Sequence, residues 1–376
     1  MIFLHTSDWH LGATGGERDL WDDQKYFIDA ICGIVREKNV DAVLLAGDVY
    51  DRSVPAASAV ELYDYAMNRL CGELGVEVLT IAGNHDSAER LASCAGLLDK
   101  AGLYLQGAAR QEPRVVEFAD SQVFFLPWVT EEKVRSLYPE ERDGITDLTE
   151  AYRVTVNHMR EKFIPGKHHL LLSHAFITNA ETSTSDRAAE IGFATQVPAS
   201  VFEGFDYVAL GHIHKPQQVN PFIRYSGSPM AYSFGKEERQ EKSVTLIDTA
   251  AMTQEVVPLP LLHRWTTLTD AYEALLAGEY PEEIRNGYVR LNVTDTAVGL
   301  DMLSRLRQVY PNALVVAGKT YDGEDTTITL TMEQLEQMES DPAEVFKSFC
   351  REEMGQEATD HFLQLFAQAV EEADAE

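Results

Sequence analysis

The sequence predicts an α/β protein built on a two-sheet β-sandwich flanked by helices, followed by a small α/β domain and C-terminal helices. Short apolar runs alternate with helical periodicity over residues 1–101, and further strand patterns continue as far as residue 248. A separate pattern of strand, helix and strand begins at residue 287. Such an order is typical of a layered α/β fold with parallel strands early and hairpins late.

Residues 1–101 predict the order β-α-β-α-β-α. The strand segments are 1–5, 42–46 and 77–82, and the helix segments are 24–38, 56–74 and 89–101. Later strand segments are 115–118, 122–127, 169–173, 207–210, 224–226 and 243–248. Because ligands of such sheets bind outside the carboxyl ends of the strands, we expect the functional loops at those ends.

The pattern changes near residues 261–269, where we place a domain boundary. Beyond it, the segments 287–293, 300–310 and 313–320 predict a small α/β domain. Two amphipathic helices are then expected at 341–355 and 359–373, the first with Asp341 as its N-cap and Pro342 in its first turn. We therefore divide the chain into a main domain (1–260), a small domain (261–335) and a C-terminal helical segment (336–376).

Composition places the chain among folded proteins but leaves its substrate open. Of the 376 residues, 45% are hydrophobic and 9% aromatic, which is the ordinary globular range. The formal net charge of −30 argues against a nucleic-acid substrate, because binders of nucleic acids usually carry a basic surface. Bound divalent ions would nevertheless supply positive charge where a phosphate must lie. The charge alone therefore does not decide the substrate.

Cysteine usage and hydropathy indicate a reducing compartment. The four cysteines show no CxxC spacing and mostly fall in apolar helical patterns, which favours buried free thiols. The N-terminal residues lack a basic segment followed by an apolar stretch, and no later stretch approaches the roughly 18 apolar residues of a membrane span. We expect a cytoplasmic protein without a membrane segment.

Five separated fragments place metal-ligating side chains just after predicted strands. In extended backbone, residues i and i+2 point the same way, so the two ligands of the DxH fragment at position 8 can converge on one centre. The HxH fragment at position 212 has the same property. The candidate ligands are Asp8, His10, Asp48, Asn84, His174, His212 and His214.

The donor set indicates the class of metal and the number of ions. Mixed carboxylate, amide and imidazole donors suit manganese, iron or zinc better than calcium. Seven ligands exceed what one ion takes while leaving room for water, so we predict two ions, which together stabilise in-line displacement at phosphorus. His85 adjoins a ligand without being needed as one, which favours a role as general acid or electrostatic donor. The six other histidines belong to no fragment, and we interpret them as packed or surface residues.

The motifs DxH, GDxxDR, GNHD, H and GHxH, in this order, resemble those of the calcineurin-like metallophosphoesterase superfamily. The resemblance implies the metallophosphoesterase sandwich and a binuclear site with His85 as the catalytic histidine. It implies that Asp48 bridges two metals. One metal would be held by Asp8, His10, Asp48 and His214, and the other by Asp48, Asn84, His174 and His212.

The similarity extends to one branch of the superfamily, the nuclease subunits of bacterial double-strand-break repair complexes. The strings that carry it are HTSDWHLG, LLAGDVYDRSVPA, IAGNHDSAERL, DYVALGHIHKPQ and IRYSGSPMAYSFG. This branch implies two Mn²⁺ ions, double-strand exonuclease and single-strand or hairpin endonuclease activity on DNA, and a coiled-coil ATPase partner of the SMC type. It also implies a homodimer within a heterotetramer, through helices 56–74 and 87–101.

The same resemblance assigns roles to the remaining segments. The small domain would orient DNA above the metals, and the C-terminal helices would dock on the ATPase, although packing within the chain would explain these helices as well. Arg52 is a candidate phosphate contact, with a surface ion pair as the alternative, and Lys215 and Lys236 are further candidate phosphate contacts near the metals. The segment 180–191 is expected to form a loop over the site.

Two other function classes remain open at this point. A phosphodiesterase or phosphatase acting alone on a small substrate would fit the shared motifs and the negative charge, but such enzymes rarely need the long C-terminal extension. A non-catalytic scaffold with a decayed site would fit the fold. No ligand is missing from the sequence, which argues against the scaffold.

Overall fold

The computed structural model of the chain describes residues 1–16, 18–186, 196–318, 328–331, 346–347, 350 and 358–373. It divides into two compact units. Unit 1 comprises Met1–Thr14 and Asp19–Leu262, and unit 2 comprises Gly15–Arg18 and His263–Glu376. Among the helices within these described ranges, none is both long and apolar enough to cross a membrane.

Unit 1 contains two six-stranded sheets. The first sheet has the spatial order Thr253–Pro258, Ser243–Asp248, Ile2–Thr6, Ala42–Leu45, Glu77–Ile81 and Leu103–Gln106. The second has the order Gln217–Asn220, Ile223–Tyr225, Tyr207–Gly211, His168–His174, Ser121–Leu126 and Val115–Glu117. Four neighbouring strands in each sheet pair in parallel, and antiparallel strands complete the sheets. The predicted sandwich with helices around it is confirmed.

The central strands are apolar runs because both of their faces are covered. Every residue of Ala42–Leu45 and of Tyr207–Gly211 is buried, as expected for parallel strands inside a layered protein. Side chains from both sheets form the core between them, for example Phe3, Leu44, Phe125 and Leu172. This core fixes the sheets against each other, so the loops at their strand ends are held in place.

Helices cover the outer faces of unit 1. The longest, Trp21–Glu37, buries an apolar face that includes Phe27 and Ile31. The other helices are Ala57–Met67, Ala88–Leu91, Ala95–Leu98, Glu131–Leu137 and Leu148–Arg160. The side chains of Thr130 and Asp147 cap the last two by accepting backbone N–H groups.

Two of the predicted helices differ from the observed ones. The segment 89–101 is not one helix, because Cys94 has a φ of 58° in the left-handed region and separates two single turns. The segment 56–74 is α-helical only as far as Met67 and continues as a π-helical turn over Asn68–Glu73. The resemblance placed a dimer interface on these two segments, but apolar residues of theirs such as Leu62 and Leu70 are buried within unit 1, whereas Leu97 is 68% exposed. Packing within the chain therefore explains much of this apolar pattern.

Unit 2 contains a four-stranded sheet. Its order is Trp265–Asp270, Tyr288–Val293, Ala313–Gly318 and Ile328–Thr331, with the last strand antiparallel to its neighbour. The helices of this unit whose bounds lie within the described residues include Tyr272–Ala277, Glu282–Arg285, Leu300–Val309 and Asp360–Ala373. The predicted elements 287–293 and 300–310 are confirmed within a residue, and the strand predicted at 313–320 is described as far as Gly318.

Several predictions for the C-terminal part fall on residues outside the described ranges. The helix expected at 341–355 is one of them, apart from residues 346–347 and 350, which are helical. Residues 187–191 of the expected loop are another. All four cysteines are free, as predicted, although Cys94 is exposed rather than buried.

Candidate metal centre

All seven predicted ligands lie at the carboxyl ends of parallel strands in unit 1. Asp8 and His10 follow the strand Ile2–Thr6, and Asp48 follows Ala42–Leu45. Asn84 follows Glu77–Ile81. His174 ends one strand of the second sheet, and His212 and His214 follow the neighbouring strand, Tyr207–Gly211. The two sheets thus deliver their ligands to the same end of the sandwich, as the topology requires.

The backbone of these loops is not extended, so the predicted reason for convergence was wrong. Asp8, His10 and Asp48 have φ values of 54°, 42° and 49°, in the left-handed region, and His212 has a φ of 104°. Such conformations cost about 1–3 kcal/mol each for a residue other than glycine and persist only where the surroundings enforce them. The ligands converge because tight turns re-aim the chain after each strand, not because residues i and i+2 share a side of a strand.

Glycines beside the ligands allow the loops to approach closely. A Cβ atom on Gly47 would lie 2.4 Å from Nδ1 of His174, and one on Gly83 would lie 2.1 Å from Oδ1 of Asp48. A Cβ on Gly211 would lie 1.9 Å from the carbonyl oxygen of Ala46. No side chain fits at these distances, so the close packing of the loops depends on glycine at all three positions.

Asp48 lies at the middle of the cluster. It is 2% exposed, and its Oδ2 lies 3.4 Å from Nε2 of His174 and 3.7 Å from Nε2 of His10. Its Oδ1 accepts the backbone N–H of His85 at 2.9 Å. One carboxylate oxygen therefore faces the two halves of the site at once, which is the geometry that a bridging ligand needs.

The first half of the site contains Asp8, His10 and His214. Nε2 of His10 lies 3.0 Å from Nε2 of His214, so the two imidazoles face a common point. Asp8 Oδ2 accepts the Ser7 hydroxyl at 2.5 Å and its Oδ1 accepts the His212 N–H at 2.9 Å. Ligand atoms of this trio all lie within 4.8 Å of one another.

The second half of the site contains Asn84, His174 and His212. Oδ1 of Asn84 lies 2.9 Å from Nε2 of His174 and 3.1 Å from Nδ1 of His212. Nδ1 of His174 donates to the carbonyl oxygen of Ala46 at 2.8 Å, which leaves its Nε2 facing Asp48 and Asn84. The ring of Trp128 stacks on His212 with centroids 5.2 Å apart.

The donors fit divalent transition-metal ions. Within the described part of the chain, the buried atoms His10 Nδ1 and His212 Nε2 have no hydrogen-bond partner. The ring nitrogens that face the cluster are the other two, His10 Nε2 and His212 Nδ1, and imidazole nitrogens are common ligands for such metals. Two carboxylates, one amide and four imidazoles suit manganese, iron or zinc, in agreement with the expectation from the sequence.

His85 lies beside the ligands, and a hydrogen bond to the main chain fixes its ring. Its Nδ1 donates to the carbonyl oxygen of Asp51 at 2.8 Å, and its Nε2 lies 4.0 Å from Oδ2 of Asp48. Its ring contacts that of His10 edge to face, with centroids 4.6 Å apart. The carboxylate of Asp51 also lies close to His10 and His85, so these three residues form a further group of potential ligands, which sequence reasoning missed.

Asp86, the last residue of the GNHD motif, joins two ligand loops. Its Oδ2 accepts the N–H groups of Val49 and Gly83, at 3.1 and 2.9 Å, and its Oδ1 accepts that of Tyr50 at 2.9 Å. Burial and the neighbouring Asp48 raise its pKa to about 6, although the three N–H donors favour the charged form. Asp86 therefore braces the loops that carry Asp48 and Asn84.

The basic residues near the site are engaged with neighbours. The side chain of Arg52 is 75% exposed and its Nε lies 3.4 Å from Oδ2 of the adjacent Asp51. Lys215 forms an ion pair with Glu181, and Lys236 Nζ donates to the carbonyl oxygen of Thr182 at 3.4 Å. Arg52 therefore takes part in the surface ion pair that the sequence analysis gave as the alternative, and Lys215 is also paired with a carboxylate.

Burial and charged neighbours shift the pKa values of the histidines in the cluster in opposite directions. Burial alone lowers the pKa of His174, but the Asp48 carboxylate outweighs it and raises this pKa to about 9. Burial is likewise outweighed at His214, where the hydrogen bond to Glu237 raises the pKa to about 9. At His212 burial dominates and lowers the pKa to about 3. The raised pKa values favour the imidazolium forms of His174 and His214, which supply positive charge next to the carboxylates of the cluster.

Metal binding is therefore expected to release protons. At pH 7 His174 and His214 are protonated in the metal-free site, because their pKa values are raised to about 9. A metal ion needs neutral imidazole, so we expect up to two protons to leave and the affinity for Mn²⁺ to rise with pH as far as about pH 9. Calorimetry in buffers of different ionisation enthalpy measures this release. A binding enthalpy that is the same in all buffers would contradict it.

A two-sheet sandwich with paired clusters of histidine and acidic ligands at one end defines the metallophosphoesterase class. The model of the calcineurin-like phosphoesterase family matches residues 1–216, which is more than half of the chain. A second model, SbcD_C, described as the type 5 capsule protein repressor C-terminal domain, matches residues 256–354. The chain belongs to the calcineurin-like phosphoesterase family and, within it, to the family of SbcD subunits.

The similar curated proteins are nuclease subunits. The chain is 30% identical over 326 residues to the SbcD subunit of the nuclease SbcCD from Staphylococcus epidermidis, with 86% of each chain covered. It is 27% identical over 325 residues to the protein of the same name from Staphylococcus saprophyticus, again with 86% of each covered. Among solved structures, that of TT1561 from Thermus thermophilus is 12% identical, covers 69% of this chain and 99% of its own, and has a TM-score of 0.38. The two curated relatives confirm the predicted family.

Proposed function

We propose that this phosphoesterase is an Mn²⁺-dependent DNA nuclease, a double-strand exonuclease and a single-strand or hairpin endonuclease that hydrolyses phosphodiester bonds with two metal ions. The observation that carries the proposal is the position of Asp48. Its Oδ2 lies 3.7 Å from His10 Nε2 and 3.4 Å from His174 Nε2, between the two halves of the ligand cluster. A carboxylate placed in this way suits a binuclear centre, and such centres are typical of phosphodiester hydrolysis.

The two halves of the cluster support the proposed ligand assignment. Asp48 is proposed as the bridge. Asp8, His10, Asp48 and His214 would hold one ion, and Asp48, Asn84, His174 and His212 would hold the other. When bound, the ions would polarise the phosphodiester and lower the pKa of a water molecule.

His85 is proposed as the general acid. Its Nδ1 must carry a proton, because a carbonyl oxygen, that of Asp51, accepts from it at 2.8 Å. Nε2 is then the atom free to carry a second proton and to donate it to the leaving oxygen or to a phosphoryl oxygen. The hydrogen bond to Asp51 fixes the ring, so Nε2 keeps its place beside the cluster.

The substrate and partner are proposed from the relatives, whose name describes a nuclease made of two kinds of subunit. We propose an SbcC-type coiled-coil ATPase as the partner, with the C-terminal helices as its docking segment and a homodimer of this chain within a heterotetramer. The small α/β domain would orient DNA. A basic surface on the ATPase would compensate for the net charge of −30, which is unfavourable for binding DNA alone.

A nuclease assay with and without the ATPase subunit tests the proposal. We expect cleavage of blunt-ended and hairpin DNA with Mn²⁺, complete loss of cleavage with EDTA, and recovery when Mn²⁺ is added back. A small chromogenic phosphodiester serves as the comparison substrate. Turnover of that compound with no cleavage of either DNA would overturn the proposal in favour of a small-molecule phosphodiesterase.

A further inference from the structure

The proposed ligand His214 is held by a buried carboxylate that no sequence motif indicated. Nδ1 of His214 lies 3.2 Å from Oε1 of Glu237. The Ser185 hydroxyl lies 2.5 Å from the same Nδ1 and also donates to Glu237 Oε1. Nε2, the other ring nitrogen, lies 3.0 Å from Nε2 of His10 and so faces the cluster. The two nitrogens of His214 therefore have separate partners, one outside the metal cluster and one within it.

Glu237 is itself fixed in place. Its side chain is fully buried, and its Oε2 accepts the backbone N–H groups of Tyr232 at 2.7 Å and of Ser233 at 3.2 Å. With Oε2 held by two backbone groups, Oε1 can point only toward Ser185 and His214. A carboxylate anchored in this way orients its partner rather than following it.

The main chain of His214 is held at both of its polar groups. Its N–H donates to Oδ1 of Asp186 at 3.1 Å, and its carbonyl oxygen accepts from Nζ of the buried Lys242 at 3.2 Å. Lys242 also donates to the Ser228 hydroxyl and to the side chain of Gln240. His214 is thus fixed at its N–H, its carbonyl oxygen and its ring nitrogen, which leaves only Nε2 for a ligand.

Burying a carboxylate such as that of Glu237 costs free energy, which favours a specific role for this residue. Removing a charged group from water costs several kcal/mol, and an apolar side chain at the same place is often neutral or stabilising. The Nδ1 atom of His174, another proposed ligand, is anchored by the backbone carbonyl of Ala46 instead. A carboxylate partner makes an imidazole a stronger donor to a metal ion than a neutral carbonyl partner does.

We propose that Glu237 is a positioning residue of the metal centre. By accepting the Nδ1–H of His214, directly and through Ser185, it selects the tautomer that presents Nε2 to one ion. Asp186 and Lys242 hold the backbone of His214 so that this nitrogen keeps its direction. The inference rests on the proposed role of His214 as a metal ligand, and it assigns Glu237 no contact with the substrate.

The test is Mn²⁺ binding by calorimetry to the metal-free, full-length protein and its Glu237→Gln variant. Glutamine keeps the size of the side chain and an oxygen for the backbone donors, but removes the charge. We expect one of the two binding events to weaken by about 10- to 100-fold, the effect typical of losing an outer-shell partner, and the other to be unchanged. Glu241→Gln is the matched control, because it makes the same charge change at an exposed position of the same segment.

A second readout separates positioning from a merely structural role. Long-range ¹H–¹⁵N spectra of the metal-free protein, recorded above pH 9, report which ring nitrogen of His214 carries the proton. We expect the Nδ1–H form in the parent protein and a larger Nε2–H fraction in Glu237→Gln. If the variant does not fold, as judged by circular dichroism, Ser185→Ala takes its place and should weaken the same binding event by a smaller factor.

The outcomes distinguish this inference from the proposed function. Unchanged affinity and an unchanged tautomer in the variant would overturn the positioning role, as would equal weakening of both binding events together with lower stability of the metal-free protein. If the parent protein itself binds no Mn²⁺, the proposed metal centre fails, and the positioning role fails with it. Selective weakening of one event in a folded variant supports both.

Discussion

Changing His85 to asparagine is expected to lower the rate of DNA cleavage by about 10²- to 10⁴-fold, the usual contribution of a general acid. Asparagine cannot donate a titratable proton, whereas His85 is positioned to do so from Nε2 because its Nδ1 donates to the Asp51 carbonyl at 2.8 Å. The metal content should stay the same, since the proposed ligand set does not include His85. The measurements are single-turnover cleavage with saturating Mn²⁺ and elemental analysis of the same preparation.

The matched control is His158→Asn, which removes a histidine outside the site that interacts with Glu141 and Tyr138. This variant should cleave DNA at the parent rate. A fall in the metal content of His85→Asn would instead identify His85 as a ligand, together with His10 and Asp51, with which it forms one of the potential ligand groups. A rate within a factor of two of the parent rate would exclude the acid role.

Changing Asp48 to asparagine is expected to remove both ions and with them the activity. The Oδ2 atom of Asp48 faces His10 and His174, at 3.7 and 3.4 Å, so this one oxygen atom lies close to both halves of the cluster. Losing metal catalysis costs several kcal/mol of transition-state stabilisation, which corresponds to a rate lower by about 10³-fold or more. Elemental analysis after Mn²⁺ reconstitution should show less than one ion per chain.

Asp143→Asn is the control for this variant, because it removes the same charge from an exposed position. It should retain two ions and full activity. Retention of two tightly bound ions by Asp48→Asn would show that Asp48 does not bridge them. Retention of one ion, with the activity lost, would mean that only one half of the cluster depends on Asp48.

Much of the candidate site could be predicted because each ligand lies within a short, contiguous motif. Asp48 and Asn84 each follow a glycine directly after an apolar strand, so the sequence itself marks a tight turn at the carboxyl end of a strand. The parallel order of the strands then brings these turns together. The turn geometry itself could not be predicted, because aspartate and histidine only occasionally adopt the left-handed conformation that Asp8 and His10 have, so residue type alone does not specify it.

Glu237 could not be predicted in the same way. It lies 23 residues after His214 in sequence, and no local pattern links the two. The edge strands Gln217–Asn220 and Thr253–Pro258 escaped prediction because their residues are mostly polar or exposed and lack apolar alternation. The break in the segment 89–101 also escaped prediction, since the apolar period continues through Cys94 while its backbone turns left-handed.

The glycines of the ligand loops restrict which substitutions this protein can tolerate during evolution. Gly47, Gly83 and Gly211 each face a neighbouring loop at a distance that admits no side chain, and the ligands Asp48 and His212 have positive φ values that few residue types tolerate. Substitutions in these loops are therefore nearly all harmful, whatever the substrate. We expect a new substrate preference to arise from segments that border the site without contributing ligands to it. We therefore expect the ligand loops to change little in sequence, whereas the segments around them can vary.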